Sequence, residues 1–202
     1  MAQHSVRLLY DHERQGVYFF FTPQDDPQTT ATTNYYYDIR SQSWWADVFA
    51  NKGHQPTTVH VFDGDDPSDR RLLLGCADGY VREIDYSAAD DDGTAIDAFV
   101  FIPVLSPDHS GFSMDEISGT LDASSSNVTL SVHAGVNPET ALANTQSAIE
   151  ATMPAGTMTR IRREARGRAM YVKLRNATVA ETFQMDDLGA HIAPLPGLDR
   201  VL

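Results

Sequence analysis

The chain has 202 residues, 42% of them hydrophobic and 21% charged, with a net charge of −13. That is ordinary globular composition, and chains of roughly 150 residues already bury about 70% of their unfolded surface, so a core needs no staples. The acidity argues against a general nucleic-acid-binding face, and a single cysteine, Cys76, excludes an intrachain disulfide and a cysteine-rich metal site.

In chain order, SVRLLY (5–10) reads as a short strand, and GVYFFFT (16–22) as a second after the polar turn DHERQ. TPQDDPQTTATT is a loop. TNYYYDI and WWADVF are two more strands around RSQS. TVHVF and RLLLGC flank the turn-rich FDGDDPSD. YVREID pairs with RLLLGC across Ala-Asp-Gly, because Asp-Gly is a strong hairpin signal. In YVREID, Tyr80, Arg82 and Ile84 alternate with Val81, Glu83 and Asp85, as a pleated, half-buried strand requires. The acidic, small-residue break DYSAADDDGTAID (85–97) then marks a domain boundary, giving a β region over 1–95 and a second domain over 96–202.

IDAFVFIPVL opens the second domain as a long strand. DEISGTLDA and NVTLSVHAG follow, joined by SSS. NPETALANTQSAIEAT (137–152) is the one helix expected, with Asn137 as N-cap, Pro138 in the first turn and Glu139 at the positive end. TMTRIRREARGRAMYVKLRN supplies two strands turning at Arg166-Gly167, ETFQMDDLGAHIAPL closes the domain, and PGLDRVL reads as an extended arm.

The stretch YYYDIRSQSWW joins an aromatic strand ending in Tyr-Asp to a polar turn and two tryptophans. It resembles the middle of a kelch-type propeller blade, in which the Asp caps the turn and Trp packs between blades. The succession YYYDIRSQSWW, FDGDDPSDRRLLLGCADGYVREID, DDDGTAIDAFVFIPV, RREARGRAMYVKLRN, ETFQMDDLGAHIAPLP, over roughly residues 10 to 195, resembles the C-terminal part of tailed-bacteriophage tail structural proteins. That resemblance implies a propeller-like β-domain followed by a β-sandwich. A full propeller needs roughly four to eight blades, and the first region has length for two at most. An open sheet presents edges that proteins avoid exposing, so a subunit of an assembly is expected. Tyr35, Tyr37, Trp44 and Trp45 are then packing aromatics between sheets or subunits.

No P-loop, G-x-G-x-x-G, G-x-S-x-G, H-E-x-x-H or C-x-x-C occurs, and no enzyme is expected. His4, His12, His54, His60, His109, His133 and His191 are scattered singly. The acidic runs DGDDPSD (63–69) and DDDG (90–93) offer oxygens of the kind Ca²⁺ takes, but neither fits the EF-hand pattern and solvated turns are the expected reading; no metal or cofactor is expected. Cys76 reads as a small buried apolar side chain. Arg160, Arg162, Arg163, Arg166 and Arg168 crowd one segment of an acidic chain. Strict alternation puts Arg160, Arg162 and Glu164 on one face and Ile161, Arg163 and Ala165 on the other. Of a solvated face, a DNA-channel lining and a contact with an acidic patch on a neighbouring copy, the subunit contact is preferred.

No segment nears the roughly 20 apolar residues of a membrane helix, and MAQHSVRLLYDHERQG lacks the apolar stretch of a signal peptide. A soluble protein made in the host cytoplasm is expected. The whole reads as a mainly β structural protein of a phage tail, forming or adapting a ring or collar. Its partners would be copies of itself and other tail proteins, with DNA passing through. A carbohydrate-binding module, with Tyr35, Tyr36, Tyr37, Trp44 and Trp45 stacking on host sugars, is the alternative. It ranks second because adjacent strand residues point to opposite faces.

Overall fold

The computed structural model describes residues 3–66, 69–104 and 111–195. The fold is mainly β, with several antiparallel sheets and one short helix. It forms two compact units, Met1–Thr94 and Ala95–Leu202.

The first unit contains β1 (His4–Asp11), β2 (Gly16–Pro23), β3 (Asn34–Asp38), β4 (Ser43–Asp47), β5 (Pro56–Phe62), β6 (Arg71–Cys76) and β7 (Val81–Glu83). They make two meanders in chain order, β1-β2-β3-β4 and β5-β6-β7. Aspartate chemistry makes the turns. Asp11 accepts from the Glu13 and Arg14 amides, Asp38 from Arg40, and Asp78 from Tyr80. Each mimics a backbone turn through its side chain, so part of the acidity is turn-making. A short hairpin, β8 (Asp90–Asp91) and β9 (Thr94–Ala95), turns through Asp92 at φ 51 and Gly93 at φ 80. Both torsions are positive, as tight two-residue hairpins need.

Leu9, Tyr18 and Phe20 from the first meander meet Leu72, Leu74 and Cys76 from the second in one buried core. Within that core Asp11 is wholly buried. Its second carboxylate oxygen accepts from the Tyr86 hydroxyl at 2.5 Å and the Tyr36 hydroxyl at 3.5 Å. Arg14 lies 3.6 Å over the Tyr86 ring. The sheets remain open: no closed propeller or barrel forms among the described residues.

The second unit contains β10 (Ala98–Val104), β11 (Phe112–Leu121), β12 (Val128–Gly135), α1 (Pro138–Ala143), β13 (Ile149–Met153), β14 (Thr159–Gly167), β15 (Ala169–Asn176) and β16 (Met185–Pro194). A four-stranded sheet β10-β15-β12-β13 and a three-stranded sheet β14-β11-β16 share one core, including Met114, Ile117, Leu130, Met153, Val172 and Leu174. This is a β-sandwich-like arrangement.

One expectation is corrected here. The helix ends at Ala143, and Ile149–Met153 is a strand paired with β12. Asn137 does cap α1, reciprocally with Thr140, but Ile149 and Met153 bury against β12 and draw the following segment into the sheet. DEISGTLDA and NVTLSVHAG are consecutive strands in opposite sheets, as are the two arginine-rich strands, whose amide at Arg168 donates to the Gly135 carbonyl. The arm PGLDRVL, the residue His109 and part of the 63–69 loop lie outside the described residues.

Candidate interaction surface

Register decides what the first sheet presents. Phe19 pairs with Leu8 on one side and Tyr35 on the other. Val6 pairs with Phe21, Tyr10 with Val17, Val17 with Tyr37, and Tyr37 with Trp44. All these positions share the face opposite the core, because the side-chain period of a strand is two. From β1 to β4 that face reads His4, Val6, Leu8, Tyr10; Val17, Phe19, Phe21, Pro23; Tyr35, Tyr37; Trp44, Ala46. It carries no Asp, Glu, Lys or Arg.

Much of it is open to solvent. Val6 is 48% exposed, Leu8 58%, Tyr10 48%, Tyr35 40% and Trp44 58%. The rings pack against one another along the surface, Phe19–Trp44 at 5.1 Å and Tyr37–Trp44 at 4.8 Å in tilted pairs, and Phe21–Tyr35 at 6.0 Å in a T-shape. Aromatic side chains each offer about 150–250 Å², so this face presents on the order of 600 Å² of apolar surface. That stands at the top of the roughly 300–600 Å² found for the largest patch on a typical monomer.

The packing aromatics divide accordingly. Tyr35, Tyr37 and Trp44 lie together on the outward face. Tyr36 turns inward against Tyr18 at 4.6 Å. Trp45 pairs with Tyr36 but stands at the sheet edge, 62% exposed, its indole N–H donating to the Ser43 hydroxyl at 3.0 Å. It borders a groove of about 440 Å³ with Arg14, Arg40, Asp38 and Asp47. Val6, Leu8, Tyr10, Val17, Phe19 and Phe21 were not among the residues singled out from sequence. For Val17, Phe19 and Phe21 the signal was the unbroken apolar run GVYFFF, since strands apolar on both faces lose alternation; for Val6, Leu8 and Tyr10 it was their i, i+2 spacing in SVRLLY.

The arginines find partners inside the chain. Arg160 and Arg162 share the Glu116 carboxylate at 3.1 and 2.9 Å, and Arg166 pairs with Glu164 at 2.6 Å. Arg163 donates to the Glu150 carbonyl at 3.4 Å. Along β14, Ile161 and Ala165 turn toward the core while Arg160, Arg162 and Glu164 face outward. Met114 pairs with Ala165 but Glu116 with Arg162, so β14 carries one residue more than β11. The bulge changes the alternation of β11, where Asp115 and Glu116 separate the buried Met114 and Ile117, and Arg163 and Glu164 both remain exposed. Arg175 forks onto Asp97 at 2.6 and 3.1 Å.

Among the described residues no cluster of His, Cys, Asp and Glu is arranged to hold a metal. The 90–93 acids serve the fold instead. Asp91 accepts from the Asn51 amide and lies 2.6 Å from Nδ1 of the buried His54, and Asp92 pairs with Arg82. Cys76 is buried, and burial pushes its thiol up from the usual range. A protonated, enclosed thiol is a poor nucleophile. No helix among the described residues is long and apolar enough to cross a membrane. No protein-family model matches the chain, and no curated protein sequence matches it.

Proposed function

We propose that this protein is a non-enzymatic structural subunit of a bacteriophage tail, built into a ring or collar with copies of itself and other tail proteins. The observation that carries the assembly reading is the outward face of the first sheet, which holds no Asp, Glu, Lys or Arg on any of its four strands. One face is covered by the β5-β6-β7 meander; the other bears Trp44, Leu8 and Tyr10 half open to water. A face at the top of that size range is often functional, and its lack of charge matches the core of a protein contact. The tail assignment rests on the order of segments that resembles tail proteins. The arginine strand is a lesser contact, since Glu116 and Glu164 already neutralise part of it.

Carbohydrate binding is the second reading, favoured by one observation: Tyr35, Tyr37 and Trp44 do share a face. Against it, Tyr35 and Trp44 meet at 80° and Phe21 and Tyr35 at 87°, so the rings do not form a level platform. The face also offers little besides phenol hydroxyls, whereas ligand sites place several polar groups to fix orientation.

The test is quantitative mass spectrometry of purified particles from the host that produces the chain. Recovery at fixed stoichiometry with tail components is the expected result. Absence from particles, together with binding to a glycan array that Trp44→Ala abolishes, would replace it with the second reading.

A further inference from the structure

We infer that the occupant of the outward face of β1–β4 is the same face of a second copy of this chain. This rests on the reading of that face as a protein contact and adds the identity of the partner. Two arguments carry it. The first is charge. Each copy has a net charge of −13, so most surfaces of one copy meet a like-charged field from another. The outward face has no Asp, Glu, Lys or Arg at any of its positions, so face against face brings no like charges into contact and leaves no ion unpaired.

The second argument is area. A standard interface buries about 800 Å² per partner, core and rim together. The roughly 600 Å² of apolar surface here supplies the core of such a contact on each side. Two antiparallel sheets stack about 10 Å apart with their strands within about 30° of each other, and rows of side chains from Leu8, Phe19, Tyr35 and Trp44 would interdigitate. The contact is isologous, so it closes as a pair. A ring built from this protein would then be a ring of such pairs, joined through a different surface.

The test is sedimentation equilibrium of the full chain from about 1 to 100 µM, a range that spans ordinary dimer affinities. The wild-type chain is expected to be a dimer. Leu8→Glu combined with Trp44→Glu is expected to weaken association by about 100-fold or more, with unchanged far-ultraviolet circular dichroism. If that variant fails to fold, Leu8→Thr with Trp44→Thr keeps strand-forming side chains and removes the apolar surface. An equimolar mixture of the Glu pair and the matching Arg pair is expected to dimerise where each alone does not. A wild-type monomer at the highest concentration, a Glu variant that still dimerises, or a mixture that remains monomeric each overturns the inference. The broader reading of a tail subunit stands or falls separately, on recovery of the chain from particles.

Discussion

The Phe19 and Trp44 rings lie 5.1 Å apart although the whole of β3 runs between their strands. They meet over the backbone of β3, between the side chains of Tyr35 and Tyr37, and Trp44 touches both tyrosines, at 6.5 and 4.8 Å. The outward cluster is therefore held by its own members while it remains open to water.

Trp44→Ala should for that reason cost the fold little. Packed aromatic pairs contribute about 0.5–1.5 kcal/mol beyond their area, so a loss of about 1–2 kcal/mol is expected. Phe20→Ala, one position along from Phe19 but 1% exposed, should cost about 3–5 kcal/mol. Urea titrations of both variants check the contrast. A Trp44 variant as damaged as the Phe20 variant would mean that the outward face is covered in the isolated chain.

Alkaline pH should unfold the first unit. Burial, its largest cause, pushes Tyr18 up to about 12. Tyr36 and Tyr86 are also raised, first by burial and then by the neighbouring Asp11 carboxylate. The unfolded chain ionises its phenols near 10. The stabilisation from neutral phenols is therefore complete below about pH 10 and lost as pH rises toward 12. Of the 8 tyrosines in the chain, these three should release their protons together with loss of structure, seen as a late cooperative step in phenolate absorbance. Tyr18→Phe should make stability fall less steeply over the same interval.

Asp11 should be the most costly acidic residue to remove. Asp11→Ala removes a wholly buried carboxylate that accepts from two turn amides and the Tyr86 hydroxyl, and hydrogen bonds to a charged group contribute about 1.5–3 kcal/mol. A loss of about 3 kcal/mol or more is expected by chemical denaturation. Tyr86→Phe leaves the amide bonds intact and should cost less. A double-mutant cycle between the two should show positive coupling.

Charge reversal on β14 should leave self-association standing. Arg160, Arg162 and Arg166 already have carboxylate partners at 2.6 to 3.1 Å, and exposed pairs contribute about 0–1 kcal/mol each. Replacing all three with Glu should change stability by about 1–2 kcal/mol and leave the dimer intact across a salt series. An apolar contact does not weaken with screening; sulfate should strengthen it. Dissociation by the triple variant would instead make the arginine strand the principal contact.

What could be read in advance followed from local chemistry. The strands of the first unit declared themselves through β-branched and aromatic runs between turn residues, and Asp38, Asp78 and Gly93 sit in turns for reasons visible within a few residues. Asn137 and Pro138 likewise announce the start of α1. Its end is not local, because Ala148, Glu150 and Ala151 favour helix in isolation, while the pairing of Ile149 with Val132 is a contact with another strand. Alternation correctly sends Tyr36 and Trp45 away from Tyr35, Tyr37 and Trp44. It says nothing of Phe19 and Leu8 joining the outward set, which depends on register across three strands. The bulge at Asp115 is equally invisible locally, because it depends on how β11 meets β14 and β16.

The two strand orders also set a timetable. In the first unit every paired strand neighbours its partner in sequence, so its contacts close short loops and form early. In the second, β15 must arrive between β10 and β12, and β16 beside β11, so both sheets await residues synthesised late. Ribosomes add roughly 5–20 residues per second and N-terminal regions fold first. The uncharged sheet face is thus finished while the remainder of the same chain is still emerging, and nascent chains on one message carry it side by side. Pairing on the polysome and precipitation during rapid overproduction are two fates of that same interval, and slower translation favours the first.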